Sequence, residues 1–291
     1  MKEDNYKLPE KNIKLAKYAG FCYGVKRAVE TVKKLKAENP NKNVFVLGEL
    51  IHNTQVIHEL EKLGIKTLTE IPEHGDGICV IRSHGESPEV IEKIKQAGFE
   101  PVDLTCLDVK KVQQKAIELA KEDYFVVVVG KSEHPEVIAI KANAKLYSDN
   151  VVVAASVEQL KEYKRVGVVV QTTQRISTLT SIVDYLISVA KEVHVANTIC
   201  KSTSMRQSEA KELAKESDLV IVVGSKKSAN TTHLAEILKD ITKTIHIEND
   251  DELDLYKDLI EKSKNISITA GASTPQNVIE RVEKRIRCEE A

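Results

Sequence analysis

The chain has 291 residues, enough for two or three small α/β domains. Charged residues make up 30% and hydrophobic residues 42%, and the net charge of −1 offers no basic field to nucleic acid. Aromatic residues are only 4% with no Trp, which argues against stacking platforms for bases, and no apolar run is long enough to span a bilayer.

The first segment, Met1–Lys17, is polar and charged, without the apolar stretch of an export signal, so the expected location is the cytoplasm and no membrane association is expected. Cys22 then opens a helical pattern in which Val25, Ala28, Val29, Val32 and Leu35 share one face. A short apolar strand, Val44–Gly48, follows and ends in glycine. A polar loop after it carries His52 and Thr54, four and six positions beyond that glycine. A second strand ends in Ile81-Arg-Ser-His-Gly, which places His84 at its carboxyl end.

The same order then recurs. Cys106 opens a helix whose apolar face is Val109, Val112, Ala116, Leu119 and Ala120. The strand Phe125–Gly130 follows, with His134 and Glu136 four and six positions past its glycine. The next strand ends in Val170-Gln-Thr-Thr, with Thr172. A third round begins at Cys200, with a less regular helix (Met205, Leu213, Ala214). It continues through Leu219–Gly224 to Ser228 and Asn230, and ends in Ile268-Thr-Ala-Gly-Ala-Ser, with Ser273. The three cysteines thus recur at intervals of roughly 90 residues, the mark of an internal repeat.

Strands alternating with helices predict parallel α/β sheets, and ligands bind such sheets outside the carboxyl ends of the strands. The unusual polar residues fall at those ends in every repeat. Three equivalent lobes facing one axis bring them together, along with one cysteine from each. The bland reading is a triplicated structural unit with solvated loops. Of the five cysteines, Cys79 lies inside an apolar strand and Cys288 near the C-terminus, and both read as small buried hydrophobes. No C-x-x-C pair exists. Three convergent thiolates suit an iron–sulfur cluster or zinc, and three ligands leave one metal position open.

The segments Gly20-Phe-Cys-Tyr-Gly-Val, Ile51-His-Asn, Ser83-His-Gly, Thr105-Cys106, Glu133-His-Pro-Glu-Val, Gln171-Thr-Thr, Ile199-Cys200, Gly224-Ser-Lys and Thr269-Ala-Gly-Ala-Ser occur in this order. Together they closely resemble the 4-hydroxy-3-methylbut-2-enyl diphosphate reductases, the LytB-type iron–sulfur reductases of the non-mevalonate isoprenoid pathway. The resemblance implies three pseudo-equivalent α/β lobes in a trefoil around a central cluster. Residues 23–105, 106–199 and 200–291 would be the lobes, with 1–22 joining the sheet of the third. It implies reductive dehydroxylation of an allylic diphosphate to isopentenyl and dimethylallyl diphosphates. It implies a [4Fe-4S] cluster on Cys22, Cys106 and Cys200 with one open iron.

By the same resemblance Glu136 is the general acid and Thr172 its relay beside the substrate hydroxyl. His52, His84, His134, Thr172, Ser228, Asn230 and Ser273 bind substrate, and Thr203 stands near the third cysteine. His58, His74, His194, His233 and His246 have no assigned role, and Lys131, Lys226 and Lys227 read as solvated. No nicotinamide or flavin fingerprint is present, so electrons are expected from a separate protein such as a ferredoxin or flavodoxin. The chain departs from the family pattern at Ala229, where a serine is usual, and at Leu107, where a proline is common. A non-catalytic iron–sulfur sensor or scaffold is one alternative and a three-thiolate zinc hydrolase another. A sensor needs the cysteines but not the convergent His, Glu, Thr, Ser and Asn set.

Overall fold

The computed structural model describes residues 11–287. A short strand, β1 (Asn12–Leu15), opens it, and three α/β repeats follow. The first comprises α1 (Tyr23–Glu38), β2 (Val44–Leu47), α2 (Thr54–Lys62), β3 (Ile65–Leu68), β4 (Ile78–Ile81), α3 (Pro88–Gln96) and β5 (Glu100–Asp103). The second comprises α4 (Leu107–Lys121), β6 (Phe125–Val129), α5 (Pro135–Lys145), β7 (Val151–Ala154), β8 (Arg165–Val170), α6 (Ile176–Val189) and β9 (Glu192–Val195). The third comprises α7 (Lys201–Lys215), β10 (Leu219–Val223), α8 (Ala229–Lys239), β11 (Thr244–Ile247), α9 (Lys257–Lys262), β12 (Asn265–Ala270) and α10 (Gln276–Arg287). Among the described residues no helix is long and apolar enough to cross a membrane.

The strands form three four-stranded sheets, ordered β3-β2-β4-β5, β7-β6-β8-β9 and β11-β10-β12-β1. All pairings are parallel. β1 therefore holds in the third sheet the edge position that β5 and β9 hold in the others. Parallel strands buried on both faces need apolar side chains at every position, which is why β6 reads Phe-Val-Val-Val-Val. Its residues alternate between two cores. Val126 and Val128 pack with Val112, Ala116 and Leu119 of α4 and with Val137 and Ile140 of α5. Val127 and Val129 pack with Leu179, Ile182 and Leu186 of α6. β10 divides its residues in the same way. Leu219, Ile221 and Val223 face Val278, Ile279 and Val282 of α10, and Val220 and Val222 face α7 and α8.

Packing divides the chain into two compact units. One takes the described residues of Met1–Phe21 and Ser204–Ala291, with the third sheet. The other is Cys22–Thr203, with the first two sheets. Cys79 lies in β4 at 0% exposure, and its burial pushes the thiol up to about 11, as expected of a core thiol. Cys288 lies outside the described residues.

Candidate active site

Within Cys22–Thr203, all three repeat cysteines stand at the start of a helix. Cys22 is the N-cap of α1, and its sulfur accepts a hydrogen bond from the Val25 N–H at 3.5 Å. Cys106 is the N-cap of α4. Cys200 directly precedes α7, and its sulfur lies 3.3 Å from the Thr203 N–H and 3.1 Å from the Thr203 hydroxyl. Helix N-termini point backbone N–H groups at these positions and stabilise negative charge placed there. Burial and the neighbouring Cys22 push the Cys200 thiol up. A cation would relieve that cost.

Three hydrogen bonds to backbone carbonyls set the cysteines among the strand-end loops. The Cys106 N–H donates to the Ser83 carbonyl at 3.0 Å, and the Cys200 N–H donates to the Thr172 carbonyl at 3.0 Å. The Arg27 guanidinium on α1 reaches the Thr105 carbonyl at 2.6 Å and so holds the loop that carries Cys106. Gly24 reports how closely these sulfurs approach. A Cβ built on it would lie 2.7 Å from the Cys106 sulfur and 3.9 Å from the Cys22 sulfur. Only glycine leaves that space open.

Thiols at helix starts, two of them around a glycine cradle, are a donor set that fits an iron–sulfur cluster. Cys22, Cys106 and Cys200 are the residues that would hold it.

His52, His84 and His134 converge from two repeats. Ring centroids are 4.8 Å apart for His52–His84, 5.6 Å for His84–His134 and 6.4 Å for His52–His134. One nitrogen from each of the three imidazoles lies within 4.8 Å of the others. His134 is the N-cap of α5, and its Nδ1 accepts the Glu136 N–H at 3.2 Å. The proton of the neutral ring is therefore on Nε2, which makes that edge a donor. His52 Nδ1 meets the Glu49 carboxylate at 3.1 Å, which fixes its ring. His84 Nδ1 is sealed from solvent without a partner. Burial first, and then the charges of His52, His134 and Arg82, hold this imidazole well below its usual range, so it is neutral at physiological pH. Three clustered rings with at least one N–H donor suit an anion.

Beside His134, Glu136 is 1% exposed and Thr172 is 5% exposed. The Thr172 N–H donates to one carboxyl oxygen of Glu136 at 2.7 Å, and the Thr172 hydroxyl meets the other at 2.8 Å. Burial pushes the Glu136 carboxyl up to about 7, Asp108 adds to the rise, and the Thr172 hydrogen bonds oppose it. A carboxyl in that range is a proton donor at neutral pH.

In the other unit, Ser228 is the N-cap of α8 just after β10, and Asn230 lies in the first turn of that helix. Both are buried, as is Ser273 in the loop after β12. The Asn230 Nδ2 has no protein partner, an unused donor at a helix N-terminus. Lys131, Lys226 and Lys227 are exposed, and Lys226 pairs with Glu252 at 2.8 Å. Ala229 is the first residue of α8 and offers only its backbone. Sequence reasoning assigns nothing to Glu49, Tyr23 or Asp108. For Tyr23 and Asp108 the only available signal is that each lies within two residues of a repeat cysteine.

The family described as LytB protein matches residues 13–287. This chain belongs to the LytB family. The 4-hydroxy-3-methylbut-2-enyl diphosphate reductase of Geobacter sulfurreducens is 41% identical over 276 residues, covering 94% of this chain and 96% of that protein. A solved structure of (E)-4-hydroxy-3-methyl-but-2-enyl diphosphate reductase, the terminal enzyme of the non-mevalonate pathway, is 39% identical. It aligns with a TM-score of 0.70 over 95% of this chain and 99% of its own. The E-1-hydroxy-2-methyl-but-2-enyl-4-diphosphate reductase from Plasmodium falciparum aligns with a TM-score of 0.85 at 27% identity, covering 95% of this chain and 88% of that one. As a LytB protein the chain has the α/β fold of parallel sheets that its repeats predict.

Proposed function

We propose that this LytB protein carries out the reductive dehydroxylation of (E)-4-hydroxy-3-methylbut-2-enyl diphosphate to isopentenyl and dimethylallyl diphosphates. The observation that carries this reading is the Glu136–Thr172 pair. A buried carboxyl with its pKa near neutrality is hydrogen-bonded to a threonine whose carbonyl binds the Cys200 backbone. Proton source and thiolate are thereby held by one loop. A non-catalytic sensor needs the thiolates but has no use for a buried acid.

The reaction consumes two electrons and two protons and releases one water. A [4Fe-4S] cluster on Cys22, Cys106 and Cys200 supplies electron transfer and Lewis acidity when bound. The residues of the chain do the rest. His134 Nε2–H, the imidazoles of His52 and His84, and the donors Ser228, Asn230 and Ser273 bind the diphosphate and hold it against the helix starts. Hydroxide is a poor leaving group, so C–O cleavage needs a proton. The Thr172 hydroxyl gives its proton to the departing oxygen and takes one from Glu136, so that water leaves. Burial of both residues keeps bulk water from competing for that proton.

The electron donor is a separate reduced protein of the ferredoxin or flavodoxin class, and the setting is the cytoplasm. The test is anaerobic incubation of the brown, iron-loaded chain with the hydroxylated diphosphate and a reduced viologen dye. Formation of both five-carbon diphosphates with stoichiometric dye oxidation is expected. Dye oxidation without either product would refute the assignment.

A further inference from the structure

Tyr23 and Asp108 flank two of the three cysteines, and the proposed reaction gives neither a direct contact with substrate. Tyr23 follows Cys22 at the start of α1, and Asp108 lies in the first turn of α4, two residues after Cys106. Their side chains meet. The Tyr23 hydroxyl donates to Asp108 Oδ2 at 2.9 Å, and the same phenol oxygen stands 3.7 Å from the Cys106 sulfur. Sulfur, phenol and carboxylate thus form a chain of three groups.

The carboxylate is 20% exposed, and its other partner, Lys111 at 3.3 Å, is 76% exposed, so water screens that ion pair and leaves most of the charge uncompensated. The phenol has one proton, and its hydrogen bond to the carboxylate engages it. The phenol therefore presents oxygen lone pairs, not a proton, to the sulfur.

Two determinants of an iron–sulfur potential are nearby net charge and hydrogen bonds to the ligand sulfurs. Here both act in one direction. We infer that Asp108, acting through the Tyr23 hydroxyl, is a positioning residue that holds the reduction potential of a cluster bound at Cys106 low. A negative charge beside a ligand opposes the arrival of an electron, and a phenol turned toward the carboxylate gives the sulfur no donor to offset it. A low potential suits a group that must deliver electrons into a C–O bond. The inference rests on the assignment of Cys22, Cys106 and Cys200 as cluster ligands.

The test is a spectroelectrochemical titration of the anaerobically purified, cluster-loaded full chain. It follows the visible band and the electron paramagnetic resonance signal of the reduced state. Asp108→Asn removes the charge but keeps an acceptor for the phenol, so the potential is expected to move positive. Asp108→Leu removes both the charge and the acceptor. The phenol proton is then free to turn to the sulfur, so a larger positive shift is expected. In a Tyr23→Phe background the extra shift of Asp108→Leu over Asp108→Asn should disappear, a coupling that a purely structural role for either residue does not produce. A brown wild type whose potential neither Asp108 variant moves would overturn the inference alone. A wild type that binds no iron would overturn the ligand assignment and the inference with it.

Discussion

Glu136→Gln removes a buried charge while keeping its volume, so it separates the stability of the fold from its turnover. The carboxyl has an ordinary value of 4.5 and is pushed up to about 7 by burial. Between those values the folded chain holds a proton that the unfolded chain has already lost, so stability falls as pH rises across that window and levels off above it. At about 1.4 kcal/mol for each pH unit, the ionised carboxylate costs the fold about 3 kcal/mol by pH 8. A glutamine amide at this position still accepts the Thr172 N–H and can donate to the Thr172 hydroxyl, so both contacts survive. The variant is therefore expected to melt above the wild type at pH 8 by about 5 to 10 °C and close to it at pH 4.5. The measurement is anaerobic thermal unfolding of both proteins across that range. Single-turnover reduction of saturating substrate should meanwhile fall by about two to four orders of magnitude, because the amide has no acidic proton. Equal melting temperatures at pH 8 would refute the raised carboxyl, and a near wild-type single-turnover rate would remove Glu136 as the acid.

Cys22→Ser, Cys106→Ser and Cys200→Ser should each abolish the visible band. Cys79→Ser should keep it while losing about 1–3 kcal/mol of stability, because a hydroxyl replaces a core thiol. Absorbance and melting curves of the four variants decide, and retention of the band by Cys106→Ser would contradict the ligand set. His52→Ala, His84→Ala and Asn230→Ala should each weaken competition by inorganic pyrophosphate roughly ten- to a hundredfold, the worth of a hydrogen bond to a charged group. Inhibition constants at fixed ionic strength measure this, and three unchanged values would dismiss the phosphate pocket.

Much of the fold is legible in the chain because its central strands are buried on both faces. Phe125–Val129 and Leu219–Val223 can be little else. The edge strands are less visible. Glu100–Asp103 reads Glu-Pro-Val-Asp and Glu192–Val195 reads Glu-Val-His-Val, because one face and one hydrogen-bonding side meet solvent. The packing of the first two repeats into one unit is also hidden, since helix periodicity says which face is apolar but not which neighbour covers it.

At the site, the spacing past each strand-end glycine is enough to mark His52, His134 and Glu136. The approach of the three imidazoles to one another depends on how two repeats dock, which no local pattern encodes. Asp108 is hidden for a different reason. An acid in the first turn of a helix is a common choice at that position, and only the Tyr23 hydroxyl beside it gives it a direction.

The unit that holds the three cysteines begins at Cys22 and ends at Thr203, just past Cys200, with Cys106 near its middle. Joined at one point, these residues would close nearly the whole unit into two loops. The cluster then acts as a cross-link as well as a reagent. By chain-entropy reasoning the outer closure alone restricts the unfolded chain by about 5 kcal/mol, comparable with the whole stability of many domains. Oxidative loss of iron would therefore loosen the polypeptide that positions Glu136 and Thr172, and damage to the metal would register as a failure of folding.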